Sequence, residues 1–200
     1  VILCTGVCDI WPDIPNVLDY VGKSLFWCIT CDGFRALDKR VLIFGSNDEA
    51  AVTTCQFHLY TRDLTFLSAP QTLVCSEDSL CSLREHKVRM IDGKVAEVLG
   101  TPEKLEGVVL TSGERIEADI MFSLLGATVN NRLALDLGVR CTPSGYVLVD
   151  EEGYTNVPGV FAAGDLSKAH THQVVSAAHE GAEAAQTANY YLYADYQKHE

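Results

Sequence analysis

Apolar residues in this chain gather in short runs that stop at glycine or at a polar turn, which predicts many brief strands and few long helices. Residues 1–3 form such a run and end in Cys4-Thr5-Gly6, a buried strand meeting a tight turn. Residues 41–44 form another and end at Gly45. Residues 48–61 change to helical spacing, with Ala51, Val52, Cys55 and Leu59 expected on one face. Residues 64–67 are the next strand, so a strand, a glycine turn, a helix and a strand follow in order. That order opens a nucleotide-binding βαβ unit. Further on, residues 77–86 suit a helix, and 88–91, 96–99, 108–110, 116–125 and 146–149 suit short strands. Gly93 and Gly113 are expected at hairpin turns. An apolar run from Val160 ends in Gly164-Asp165, and residues 173–193 form a long alanine-rich helical stretch. Pro12 and Pro15 make residues 10–16 an extended linker.

Composition narrows the class. The 200 residues are 48% apolar, as in folded globular proteins, and no run approaches the length of a membrane helix. A formal charge of −12 argues against nucleic acid and anionic membranes as partners. The first residues carry no basic region or cleavage pattern, so no signal peptide is expected. The 8 cysteines are scattered unevenly, which fits a reducing, cytoplasmic setting with one working pair better than a secreted disulfide framework.

That pair is Cys28-Ile-Thr-Cys31, followed at once by Asp32 and Gly33. A CxxC can be half of a zinc site, a structural disulfide or a redox dithiol. Structural zinc usually takes two such pairs, and Cys4/Cys8, Cys75/Cys81, Cys55 and Cys141 offer no second one. No metal is expected, and these six are expected to be small apolar fillers. A structural bridge over so short a loop has little entropic benefit. Redox chemistry remains: an attacking thiolate, a resolving thiol and an acid to move the proton. Gly33 is expected to let the chain turn sharply after the pair.

Taken in order, Cys28-Ile-Thr-Cys31-Asp32-Gly33-Phe34, the Gly45 turn and Gly159-Val-Phe-Ala-Ala-Gly164-Asp165 resemble the low-molecular-weight thioredoxin reductases. The resemblance implies an α/β fold with two dinucleotide-binding, Rossmann-like domains, the flavin domain present only in part. Residues 1–8 and 123–200 would belong to the FAD-binding domain, and residues 9–122 would be the inserted redox domain. It also implies that the first phosphate turn of the flavin domain is not within this chain. FAD would be held by Thr5, Gly6, Gly164, Asp165, His172, Gln173 and Val174. Cys31 would lie against the flavin, Cys28 would be the exposed thiol that attacks the substrate disulfide, and Asp32 would be general acid and base. Thioredoxin or a similar small disulfide protein would be the substrate, and the family allows a homodimer.

The chain departs from this pattern at the pyridine-nucleotide site. Gly45-Ser46-Asn47-Asp48-Glu49-Ala50 stands where GxGxxA is usual. Asn47 replaces the glycine that admits pyrophosphate, and Asp48 and Glu49 add charges that repel phosphate. Ser68-Ala69-Pro70 replaces the basic clamp for the 2′-phosphate of NADPH and supplies no acid for the ribose of NADH. Gly45, Ser46, Asn47 and Asp48 are therefore expected to be a vestigial nucleotide or second-flavin site. His172 replaces a flavin-contacting arginine and is expected to be a tolerated polar contact; His170 and His179 are expected at the surface. Tyr190, Tyr191, Tyr193 and Tyr196 are expected to close a helix onto a core. These residues point to a flavin-dependent disulfide reductase whose electrons come from ferredoxin, a second flavin or another donor rather than NADPH. Arg35, Lys39 and Arg40 would receive an acidic partner. A conventional NADPH-dependent reductase is the alternative. A non-catalytic sensor or binding module is a third reading, which the acid beside the resolving thiol argues against.

Overall fold

In the computed structural model, residues 1–69, 72–167 and 172–196 are described. Pro70 and His170 lie outside the described residues, as does the side chain of Tyr196. The strands are β1 (Ile2–Leu3), β2 (Val7–Asp9), β3 (Leu25–Phe26), β4 (Val41–Gly45), β5 (Leu64–Ser68), β6 (Arg89–Asp92), β7 (Val95–Gly100), β8 (Leu105–Leu110), β9 (Arg115–Glu117), β10 (Ile120–Leu124), β11 (Ala127–Val129) and β12 (Phe161–Ala162). The helices are α1 (Val17–Tyr20), α2 (Ile29–Asp32), α3 (Asp48–Gln56), α4 (Glu77–Glu85), α5 (Arg132–Asp136) and α6 (Val174–Tyr196). Among the described residues no helix is long and apolar enough to cross a membrane.

Two compact units form: Asp9–Gly126, and Val1–Cys8 with Ala127–Glu200. The first is built on a five-stranded sheet of order β3-β10-β4-β5-β6, with every neighbouring pair parallel. Successive side chains of a strand point to opposite faces. Leu42 and Phe44 of β4 therefore pack with the antiparallel sheet β7-β8-β9, through Val95, Val108 and Ile116. Val41 and Ile43 pack on the other face with Ala50, Ala51 and Phe57 of the α3 region and Leu83 of α4. Burial on both faces explains why the run is continuously apolar. The unit continues to Gly126, past the boundary expected at 122/123, because β10 lies inside the sheet between β3 and β4.

In the other unit β1 pairs in parallel with β12, Ile2 opposite Phe161 and Leu3 opposite Ala162. Helix α6 packs over this pair through Ala184 and Tyr191, whose ring meets Phe161 edge-on at 5.8 Å. Tyr191 alone of the described tyrosine side chains in that cluster closes the helix onto the core; Tyr190 and Tyr193 are exposed. His179 is exposed, as expected, and pairs with Glu183.

Several elements differ from the sequence expectation. Helix α3 ends at Gln56 and a 3-10 turn follows, so its buried face is Ala50, Ala51 and Thr54, while Val52 and Leu59 are exposed at 52% and 81%. Thr54 can be buried because its hydroxyl donates to the Ala50 carbonyl at 2.7 Å. Gly93 is not at a hairpin: β6 belongs to the parallel sheet and β7 to the antiparallel one, and the Gly93 N–H donates to Ser68 at the step between them. Gly113, with φ 87°, does turn the β8–β9 hairpin. The run 116–125 is split into β9 and β10 at Ala118-Asp119. Residues 146–149 form no strand, and Val147 makes only an isolated bridge to Cys141. Of the six cysteines outside the CxxC, Cys4, Cys8 and Cys81 are exposed and Cys55, Cys75 and Cys141 half-buried, so none is a fully buried filler.

Two packing features can be tested. A side-chain carbon at Gly45 would overlap the Phe66 ring and come within 2.8 Å of Ala50 Cβ. Gly45→Ala is expected to lower stability by about 1–3 kcal/mol in urea unfolding, the cost of overpacking. At the β9–β10 break, Arg40 binds Asp119 in bidentate fashion at 2.6 and 3.1 Å and also reaches Glu117 at 2.6 Å. Asp119→Asn is expected to cost about 1 kcal/mol, because the pair is partly exposed. The hydrogen bond from Arg40 holds the Asp119 carboxyl below its ordinary value. Its contribution is thus present above roughly pH 4, the unfolded value, and lost as pH falls through the depressed folded value. The stability difference between Asp119→Asn and the parent chain should shrink in acid.

Candidate active site

Cys28 and Cys31 are joined in a disulfide, with Cα atoms 5.3 Å apart. Cys28 is extended (φ −122°, ψ 114°) and caps α2: its sulfur accepts the Cys31 N–H at 3.0 Å and its carbonyl accepts the Asp32 N–H at 3.0 Å. The backbone thus presents a donor to the Cys28 sulfur, an arrangement that stabilises a thiolate when the bond opens. On the chain itself Cys31 is exposed and Cys28 half-buried. Trp27 stands directly before Cys28 and packs against Trp11 with ring centroids 5.1 Å apart.

Asp32 is half-buried and its Oδ1 accepts from Arg35 Nε at 2.9 Å. The Arg35 guanidinium is in turn stacked 5.1 Å from the Phe26 centroid and 5.2 Å from that of Phe34. Arg35 therefore orients the acid, and Arg40 is committed to Asp119 and Glu117. Two of the three residues expected to form a basic docking patch are thus paired with acids, and Lys39 is exposed. Gly33 has an ordinary helical φ of −57°. Its missing side chain instead admits Tyr60, whose ring carbon would lie 2.8 Å from a Cβ there.

The turn after β4 is closed by the chain itself. Asn47 caps α3, its Oδ1 accepting the Ala50 N–H at 2.9 Å. Asp48 Oδ1 accepts the Ser76 N–H at 2.6 Å and the Ser76 hydroxyl at 3.0 Å, and these donors hold its carboxyl below the usual range. The Val74 N–H donates to the Ser46 carbonyl at 2.6 Å, and Asn47 and Val74 form a parallel bridge. At the end of β5, Ser68 donates its hydroxyl to Asp92, the last residue of the adjacent β6. An acid does stand beside Ser68, contrary to the sequence reading. It was missed because it arrives on a neighbouring strand rather than on β5.

The remaining expected residues lie in the other unit. Gly6 is left-handed (φ 63°), and its turn is held by Asn130: the Asn130 backbone donates to Gly6 O at 2.9 Å, its side chain donates to Thr5 O at 3.0 Å, and the Thr5 hydroxyl returns to Asn130 O at 2.6 Å. Asn130 carried no signal in the sequence. Gly164 is also left-handed (φ 76°), and the next residue, Asp165, has a buried Oδ1 with no donor among the described residues. His172 lies within 3.4 Å of the Tyr146 hydroxyl. Gln173 precedes α6, and Val174, its first residue, is 86% exposed. Among the described residues no group of three or more His, Cys, Asp or Glu could hold a metal ion.

The profile of the pyridine nucleotide-disulphide oxidoreductases matches residues 1–185. The chain belongs to this family. Among its relatives, an alkyl hydroperoxide reductase component of Xanthomonas campestris pv. phaseoli is 35% identical over 205 residues, covering 94% of the chain and 37% of that protein. A thioredoxin reductase of Listeria monocytogenes is 29% identical, covering 86% of the chain and 56% of its own length. The solved structure of the atypical thioredoxin reductase TRi from Desulfovibrio vulgaris Hildenborough superposes with a TM-score of 0.60 at 33% identity, over 95% of the chain and 63% of that protein. The chain thus spans about a third to two thirds of these relatives. FAD is the cofactor that this family implies, and the orphaned Asp165 oxygen, an acceptor beside a left-handed glycine, suits a ribityl hydroxyl.

The orienting contact on Asp32 can be tested here. Arg35→Met keeps the stem over Phe26 and Phe34 but removes the Nε donor. It is expected to slow disulfide exchange by the reduced chain about 2–10-fold, less than loss of the acid itself. An unchanged rate would show that Asp32 needs no orienting partner.

Proposed function

We propose that this protein is a flavin-dependent disulfide oxidoreductase that reduces a thioredoxin-like protein disulfide through Cys28 and Cys31 and does not take its electrons from NADPH. In this reading the unit Val1–Cys8 with Ala127–Glu200 is part of the flavin domain, with FAD on Gly164, Asp165, Thr5 and Gly6 and close to His172, Gln173 and Val174. The unit Asp9–Gly126 is the redox domain. FAD, when bound, supplies the electron pair. Opening Cys28–Cys31 consumes two electrons and two protons; the Cys28 thiolate then attacks the substrate disulfide and expels one substrate thiol, and Cys31 attacks the Cys28 sulfur of the mixed disulfide, re-forming Cys28–Cys31 and releasing the second thiol. Asp32, held by Arg35, moves the proton.

The observation that carries the donor reading is the self-closed turn at Gly45–Asp48. A pyrophosphate there would have to displace Val74 from Ser46, and it would face the carboxylates of Asp48 and Glu49 at the start of α3. The Asp92 carboxylate at the end of the adjacent strand adds a further repulsion for a 2′-phosphate. The same closure argues against a second flavin on this turn. A ferredoxin-type donor would need a basic surface other than Arg35 and Arg40.

Titration of the chain with NADPH and NADH, followed by tryptophan fluorescence, is expected to show no saturation below about millimolar. Loss of one charged phosphate contact alone costs roughly 1.5–3 kcal/mol, or tenfold and more in affinity. Saturation at micromolar NADPH would return the protein to the conventional reductases. For the dithiol, the chemically reduced chain is mixed with an oxidised thioredoxin-fold protein. Cys31→Ser is expected to trap the substrate on Cys28, and Cys28→Ser to abolish transfer; trapping on Cys31 instead would reverse the two roles. Asp32→Asn is expected to slow transfer by about 10²–10⁴-fold.

A further inference from the structure

Glu180 lies two turns into α6 and directs its carboxylate back onto the Gly164 turn. Its Oε2 accepts the Gly164 N–H at 2.9 Å. The Ser167 hydroxyl sits between that carboxylate, at 3.3 Å, and the Gly164 carbonyl, at 3.0 Å. Ala177, one turn earlier on the same helix, would stand 3.4 Å from a Cβ at Gly164. Helix α6 therefore packs against residue 164 and grips its amide, holding it at φ 76°. The next residue is Asp165, whose Oδ1 is buried without a donor. A buried acceptor with no donor is unfavourable, and a free turn would relieve it by rotating the carboxylate into water. The Glu180 grip opposes that rotation.

We infer that Glu180 is a positioning residue: it locks the Gly164 turn so that Asp165 keeps an unpaired carboxylate oxygen inside the fold, preorganised for a polyol hydroxyl. That hydroxyl is the flavin ribityl group, so the inference rests on the flavin reading above. The lock exists before any ligand arrives, which lowers the ordering cost of binding. The carboxylate is needed as an acceptor, so the amide of glutamine can replace it.

The test uses the full chain, isotope-labelled, with amide exchange at Gly164 and the response of the Gly164 and Asp165 resonances to added FAD. Slow exchange at Gly164 is expected in the parent chain and in Glu180→Gln. Exchange at least about tenfold faster is expected in Glu180→Ala, together with an apparent FAD affinity about ten- to a hundredfold weaker, the loss expected for a hydrogen bond to a charged group. If Glu180→Ala does not fold, Glu180→Leu keeps the bulk and is read in the same way. Unchanged exchange in the apolar variants overturns the lock, as does a glutamine variant that behaves like alanine. Exchange that accelerates while FAD affinity stays the same overturns the positioning role. A lock that behaves as expected in a parent chain whose Gly164 and Asp165 resonances ignore even millimolar FAD upholds the lock and overturns its role toward the flavin.

Discussion

The close approach of Gly45 to the Phe66 ring and to Ala50 is the constraint on which the unit Asp9–Gly126 depends. Without a side chain at residue 45, β4 and β5 can pair while α3 lies directly on them. Its position brings the first residues of α3 to the segment 74–76, where Asn47, Asp48, Val74 and Ser76 close on one another. A glycine of the kind that elsewhere admits a phosphate here admits an aromatic ring. At this turn Asn47 caps the Ala50 amide, Val74 takes the Ser46 carbonyl and Ser76 takes the Asp48 carboxylate.

The two units handle their turns by the same means. At three turns a side chain from elsewhere in the sequence engages the turn. Asn130 holds the Gly6 turn, Glu180 holds the Gly164 turn, and Ser76 engages Asp48 beside the Gly45 turn. These are short polar links at the ends of buried strands, where chain direction changes and main-chain groups leave the ladder. One group in this pattern remains unmatched, the Oδ1 of Asp165.

Charge around the dithiol follows a related logic. Arg35 is stacked between two rings and anchored on Asp32, so it directs an acid rather than advertising a positive surface. Arg40 is engaged at the break between β9 and β10, where it adds a bidentate ion pair with Asp119 to its backbone hydrogen bonds.

Local pattern was sufficient for the strands buried on both faces, for the CxxC with its adjacent acid, and for the glycine turns at 45 and 164, because run length, residue type and chain order are properties of the sequence itself. It misjudged the face of α3, since a 3-10 turn after Gln56 breaks the helical period before Leu59. It assigned a sharp turn to Gly33, whereas the space is needed for the Tyr60 ring, a neighbour 27 positions away along the chain. Asp92 beside Ser68, Asn130 on Thr5 and Glu180 on Gly164 were illegible for the same reason: each meets its partner only after strand pairing or helix packing has set their separation. Residue types and their order determined which chemistry the chain could carry. The tertiary structure decided which polar groups are satisfied by the chain and which are not, because hydrogen bonds depend on distance in space and not on distance in sequence.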